Sequence, residues 1–217
     1  MASPNWTRYS LLDFSLPDFV IGLGEFLAPM KFRLAEVGRL LFDPDRRSQD
    51  FSGETAKCNS EAEALRIGGK WDGMALAYVI RDISARIYFH FWAVDGKVAL
   101  CVETATSVPY FENDELGPGE WFERFLCSML GFTRASVCGY GNSYVVRYEP
   151  LDPEVVIAEI WSGELFARSA PSFHGISLKL LDAAEGTRLF EAYPKHPLLR
   201  HSITTTGYHV FSTLRRS

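Results

Sequence analysis

Paired cysteines are what this sequence most plainly lacks. Cys58, Cys101, Cys127 and Cys138 stand far apart, with none of the short spacings that mark a zinc site or a dithiol redox motif. Reduced, mostly buried thiols are expected, as in a reducing compartment. Long apolar runs are missing too. The best stretch, Phe19 to Leu41, is broken by Glu25, Lys31, Arg33, Glu36 and Arg39, all expensive in hydrocarbon. The first residues show no basic segment followed by an apolar run and a small-residue cleavage site, so secretion by a standard signal is not expected. Cytoplasmic location and no membrane association follow as expectations.

Positive charge is also in deficit. The 22 Lys and Arg stand against 27 Asp and Glu, a net charge of -5, which is the wrong sign for general binding to a phosphate backbone. Arg46-Arg47 and Arg215-Arg216 are too short to reverse it. No nucleic-acid partner is expected. The same acidity serves solubility and would suit a basic protein partner. Gly22-Leu23-Gly24 and Gly139-Tyr140-Gly141 lack the additional glycine and phosphate-contact pattern of a nucleotide-binding loop, and His174, His196, His201 and His209 follow no zinc spacing. No cofactor and no metal are expected. A cluster of acids, Glu112, Asp114 and Glu115 followed by Glu120 and Glu123, matches no calcium-binding loop. Carboxylates near a helix start need no further explanation than the helix dipole.

What is present is aromatic weight. Sixteen Phe, nine Tyr and five Trp supply many large packing units, and 217 residues are enough to bury one sizeable core. One α+β domain over 1–217 is expected, with a flexible loop or insertion at 43–60, where apolar periodicity is lost.

The best-specified stretch runs from Arg86 to Ala105. With Asp95-Gly96 as a two-residue turn it reads as a β-hairpin, Val94 opposite Lys97. One face then carries Ile87, Phe89, Phe91 and Ala93 opposite Thr104, Val102, Leu100 and Val98, an apolar surface. Met74 to Ile80 adds a strand, making an antiparallel meander with Arg86 to Val94 in the middle. Helices are expected over Phe19 to Leu27, Lys31 to Phe42 and Glu61 to Ile67. Others follow Gly117-Pro118-Gly119 (Phe122, Phe125, Leu126 and Met129 on one face, stopped by Gly131), start at Asp152-Pro153, and span Ala183 to Tyr193. Further strands are expected within Ala135 to Tyr148, over Ile176 to Leu181 and over Tyr208 to Leu214. The fold class is α+β, an antiparallel sheet with a central meander covered by several helices on one face.

The other face of the hairpin carries Arg86, Tyr88, His90 and Trp92 opposite Ala105, Glu103, Cys101 and Ala99. Cationic reach beside large rigid rings is the composition of protein-interface hot spots. Arg86, Tyr88, His90, Trp92 and Glu103 are the candidate binding residues, with Trp71 and Asp72 joining from the preceding loop. The leading expectation is a non-enzymatic protein-binding domain, with inhibition or neutralisation as one form of it. The alternatives are a cysteine- or carboxylate-dependent hydrolase using His90 with Cys101 or Glu103, and a structural or self-associating module. Against catalysis, a nucleophile in a regular strand lacks the access that a turn or helix terminus gives, and nothing supplies an oxyanion site.

Overall fold

At the Asp95-Gly96 turn both central residues take left-handed backbone, with φ of 50° and 76°, the type I′ geometry that matches strand twist. In the computed structural model, which describes residues 5–43, 48–80, 85–105, 107–108, 119–142, 150–167 and 172–214, this turn joins β5 (Ala85–Val94) to β6 (Lys97–Thr104). The expected cross-strand pairs from Val94 with Lys97 to Ile87 with Thr104 are in place, and β6 ends before Ala105, the expected partner of Arg86. β4 (Gly73–Ile80) pairs along the other edge of β5, so the meander forms with β5 in its middle.

The sheet extends well beyond that meander. β2 (Phe32–Asp43) and β3 (Ser48–Lys57) continue it on one side. β1 (Asn5–Tyr9), β7 (Val137–Asn142), β8 (Phe173–Ser177), β9 (Arg200–Ile203) and β10 (Tyr208–Ser212) continue it on the other. Among the described residues ten strands lie in the order β3-β2-β4-β5-β6-β1-β7-β8-β10-β9, an open antiparallel sheet. β1 is the seam, hydrogen-bonded to β6 on one edge and β7 on the other. The outer edges resist pairing with another chain: β9 has four residues, and β3 carries a left-handed Gly53 and the Arg39–Glu54 ion pair.

Helices α1 (Leu16–Leu27), α2 (Glu61–Gly68) and α3 (Glu120–Thr133) cover one face. Ser15 and Ser60 cap α1 and α2 by accepting amides three residues on. Phe19, Leu23 and Leu27 from α1 and Phe122, Leu126 and Met129 from α3 meet Phe89, Phe91, Leu76 and Val102 of the sheet in the main core. Two further helices, α4 (Pro153–Trp161) and α5 (Ala183–Ala192), start at Asp152 and Asp182 caps and lie on the opposite face at the β7–β9 end. There Val156, Ile160 and Leu189 pack with Val137, Ile176 and Phe211 in a second core.

Several sequence expectations need correction. Lys31 to Phe42 is strand β2, not helix. A β-bulge between Leu34 and Glu36 shifts the register against β4, so Leu34 and Val37 reach the same core three residues apart, and a bulged strand imitates helical spacing. The stretch 43–60 is not a loop or insertion over its described length: Ser48–Lys57 is a full strand, polar because it lies at an edge, while 44–47 lie outside the described residues. The strand expected at Ile176 to Leu181 sits earlier, at Phe173–Ser177, and a turn follows. Gly131 lies inside α3, which ends at a left-handed Arg134. Of the expected strand or hairpin at Ala135 to Tyr148, β7 is present and 143–149 lie outside the described residues. β1 and β9 were not anticipated.

Candidate functional site

Period-two alternation along β5 sends Ile87, Phe89 and Phe91 into the main core and turns Arg86, Tyr88, His90 and Trp92 to the opposite face. Their neighbours are set by register. One row across the sheet reads Glu36, Ala77, Tyr88, Glu103, Trp6, Gly141, and the next reads Gly38, Ala75, His90, Cys101, Arg8, Gly139. Small residues on β4 and β7 alternate with large ones on β5 and β1, so the long side chains lie over their small neighbours.

The four β5 residues share a face but not an environment. Trp92 is 7% exposed and packs with Trp6, Ala99 and Cys101 in a small apolar cluster. His90 is buried as well, with the Trp6 ring edge-on at 5.3 Å and Nε2 3.1 Å from a Glu103 carboxylate oxygen. Tyr88 is half-buried and Arg86 exposed. The Arg86 guanidinium is held more firmly protonated first by Tyr88 and then by Glu36, whose carboxylate lies 3.5 Å away. The result is an aromatic base with a polar rim.

Cys101 is 1% exposed. Burial pushes its thiol up; Arg8 across the strand pair opposes that and Glu103 adds to it. A thiol so held is protonated at neutral pH, whereas nucleophilic attack needs the thiolate. The sheet does bring His90, Cys101 and Glu103 together as the register required, with His90 and Glu103 in contact.

Trp71 and Asp72 do not join this face as a pair. The Trp71 ring packs into the core on the α1–α3 side, where a Cβ on Gly68 would strike both it and the Met74 sulfur. That part of the sequence expectation is corrected: the Trp71 N–H turns back to the Gly68 carbonyl at 2.9 Å, so the ring follows the end of α2 and not the strand after it. Asp72 is exposed, just before the Gly73 that pairs with Trp92. Of the acids, Glu112, Asp114 and Glu115 lie outside the described residues, while Glu120 binds Arg124 at 2.8 Å and Glu123 is buried at the start of α3. Among the described residues no group of three potential ligands is arranged for a metal ion, and no helix is long and apolar enough to cross a membrane.

Sequence reasoning missed Trp6, Arg8 and Glu36. The alternation in Asn5–Tyr9 marks a strand, but nothing local announces that its partners lie ninety or more residues away. Glu36 falls in the stretch whose spacing predicts a helix over Lys31 to Phe42. Comparison with protein-family models, curated proteins and solved structures returned no match.

Proposed function

We propose that this chain is a protein-binding domain whose recognition surface is the sheet face opposite α1–α3, centred on β5 and β6. The observation that supports the reading is the layering of that face: buried Trp92, Trp6 and His90 form a rigid base under the more accessible Arg86, Tyr88 and Glu103. Interfaces favour such a fixed aromatic centre with a polar rim, because little side-chain entropy is lost on docking. Inhibition or neutralisation of the partner is the form of this function that asks no further chemistry of the face. The net charge of -5 would draw a basic partner at long range, and four cysteines that form no disulfide suit a cytoplasmic setting.

The second reading is a hydrolase built on His90 with Cys101 or Glu103. The 3.1 Å His90–Glu103 contact favours it, and the protonated, enclosed thiol weighs against its cysteine form. Self-association through sheet edges is disfavoured by the short β9 and the charged β3.

The experiment is affinity capture with the wild-type chain, followed by measurement of each captured partner against Arg86→Ala and Tyr88→Ala. Both positions lie on the rim, so the variants fold. A partner bound about tenfold more weakly by each variant, a change of about 1.4 kcal/mol, supports the reading. Undiminished affinity of every partner for both variants would remove it.

A further inference from the structure

Arg8 is a cation on this face for which no ion pair is found among the described residues, and unlike Arg33, Lys57 and Lys97, which share the face and are exposed, it is half-buried. Its side chain is half-buried on β1, between Cys101 of β6 and Gly139 of β7. The nearest carboxylates on the face are engaged elsewhere: Glu103 with His90 at 3.1 Å and Glu36 with Arg86 at 3.5 Å. Among the described residues no ion pair or hydrogen bond involves the Arg8 side chain. Withdrawing a guanidinium partly from water without a partner is unfavourable. Among the described residues a Cβ on Gly141 would meet nothing within 4 Å, whereas the space over Gly139 is taken by His174 Nδ1 at 3.3 Å and Leu151 at 3.4 Å.

We propose that Arg8 receives a carboxylate from an acidic side chain of a protein partner, seated over Gly141. This rests on the protein-binding reading and names the partner's anchoring group. A single guanidinium offers the planar fork that a carboxylate accepts with two oxygens. A phosphate dianion is the poorer match, because Arg8 is a single cation and Glu103 stands diagonally across the strand pair to repel the second charge. The negative chain as a whole attracts a basic partner over distance, while Arg8 sets which group of that partner docks at contact range.

The test is an NMR titration of the full chain with a glycine-serine octapeptide bearing one central glutamate, with its glutamine counterpart, and with inorganic phosphate, following the Arg8 Nε–H and Trp6 indole signals. The glutamate peptide is expected to shift both signals saturably. The glutamine peptide and phosphate should bind at least about tenfold more weakly, and Arg8→Met should raise the glutamate peptide's dissociation constant about tenfold or more. Arg8→Lys, which keeps the charge but not the fork, should recover only part of that loss. No saturable shift in the wild type, equal binding of the glutamine peptide, phosphate binding as tight as the glutamate peptide, or an unchanged constant in Arg8→Met would each overturn the inference. A captured partner weakened by Arg86→Ala and Tyr88→Ala but untouched by Arg8→Met overturns this inference alone. A partner indifferent to all three variants overturns the protein-binding reading with it.

Discussion

Strand β5 presents two chemistries on alternate residues. Toward the helices Ile87, Phe89 and Phe91 are all 0% exposed, wedged against Tyr78, Phe19 and their neighbours. On the other side Arg86 is half-exposed, Tyr88 is half-buried, and His90 is held by Glu103. Cohesion is concentrated on the helix side, where apolar area is removed from water in bulk. The opposite side is thereby released to carry polar groups whose loss the fold tolerates. Phe89→Ala should break that asymmetry most severely. It removes a ring packed edge-on to Tyr78 at 5.5 Å from a core with little freedom to collapse, at a cost of about 3–5 kcal/mol in unfolding free energy. Tyr88→Ala, one residue away, should cost about 1 kcal/mol or less. Urea denaturation of both variants measures the difference, and equal losses would show that the two faces share the load.

The part of the molecule most legible in sequence is the part held by local pairing. The meander from Gly73 to Thr104 needs only a two-residue turn and an alternating pattern, and the register of every β5–β6 pair was readable from Asp95-Gly96 outward. The Asp152-Pro153 cap signal is equally local, which is why α4 starts where the pattern puts it. The failures share a different cause. Leu34 and Val37 fall on one face through a bulge that only the pairing with β4 creates, and β1 acquires its role from β6 and β7, which no window around Asn5 contains. The candidate site divides the same way. Arg86, Tyr88, His90, Cys101 and Glu103 were legible as one face because one hairpin holds them. Arg8 and Trp6 were not, since they enter by non-local pairing, and Trp71 was misplaced because its ring follows α2 instead of the strand after it.

The far end of the polar face offers a sharper comparison, because there too histidine is packed on sheet, but under a helix. His209 is fully buried and its Nε2 lies 2.9 Å from the Asp182 carbonyl. A carbonyl only accepts, so that nitrogen donates. His209 Nδ1 is then the acceptor for His201 Nε2, 2.8 Å away, and a further proton enters at His201 Nδ1. Burial, with His209 as a lesser cause, pulls His201 down to about 4. An unfolded histidine titrates near 6.5. Between those values the unfolded chain takes up the proton first, so stability is full above about pH 6.5 and declines as pH falls toward 4. For a half-buried ring screened by solvent the loss at pH 5 should be about 1 kcal/mol. His201→Gln keeps the N–H donor and removes the titration. Thermal unfolding of wild type and variant at pH 7 and pH 5 should show the decline in the wild type alone, and an equal decline in both would place its origin elsewhere.

The smallest effect is expected at Gly141, as a comparison of three glycines shows. At Gly186 of α5 an added Cβ would run into the His209 ring, and at Gly175 of β8 into Leu130 of α3, so both glycines are required by close approach. Gly141 is a glycine of another kind: its φ is not positive, and a Cβ there would meet no atom of the described residues within 4 Å. Alanine should be accommodated without strain and should slightly restrict the unfolded chain, so Gly141→Ala should change unfolding free energy by no more than about 0.5 kcal/mol. If denaturation shows a loss of the size expected from overpacking, about 1–3 kcal/mol, the strip beside Arg8 is filled by the protein itself and has no room for a partner's side chain. A neutral result leaves Gly141 without a role in packing, beside a half-buried Arg8 for which no ion pair is found among the described residues.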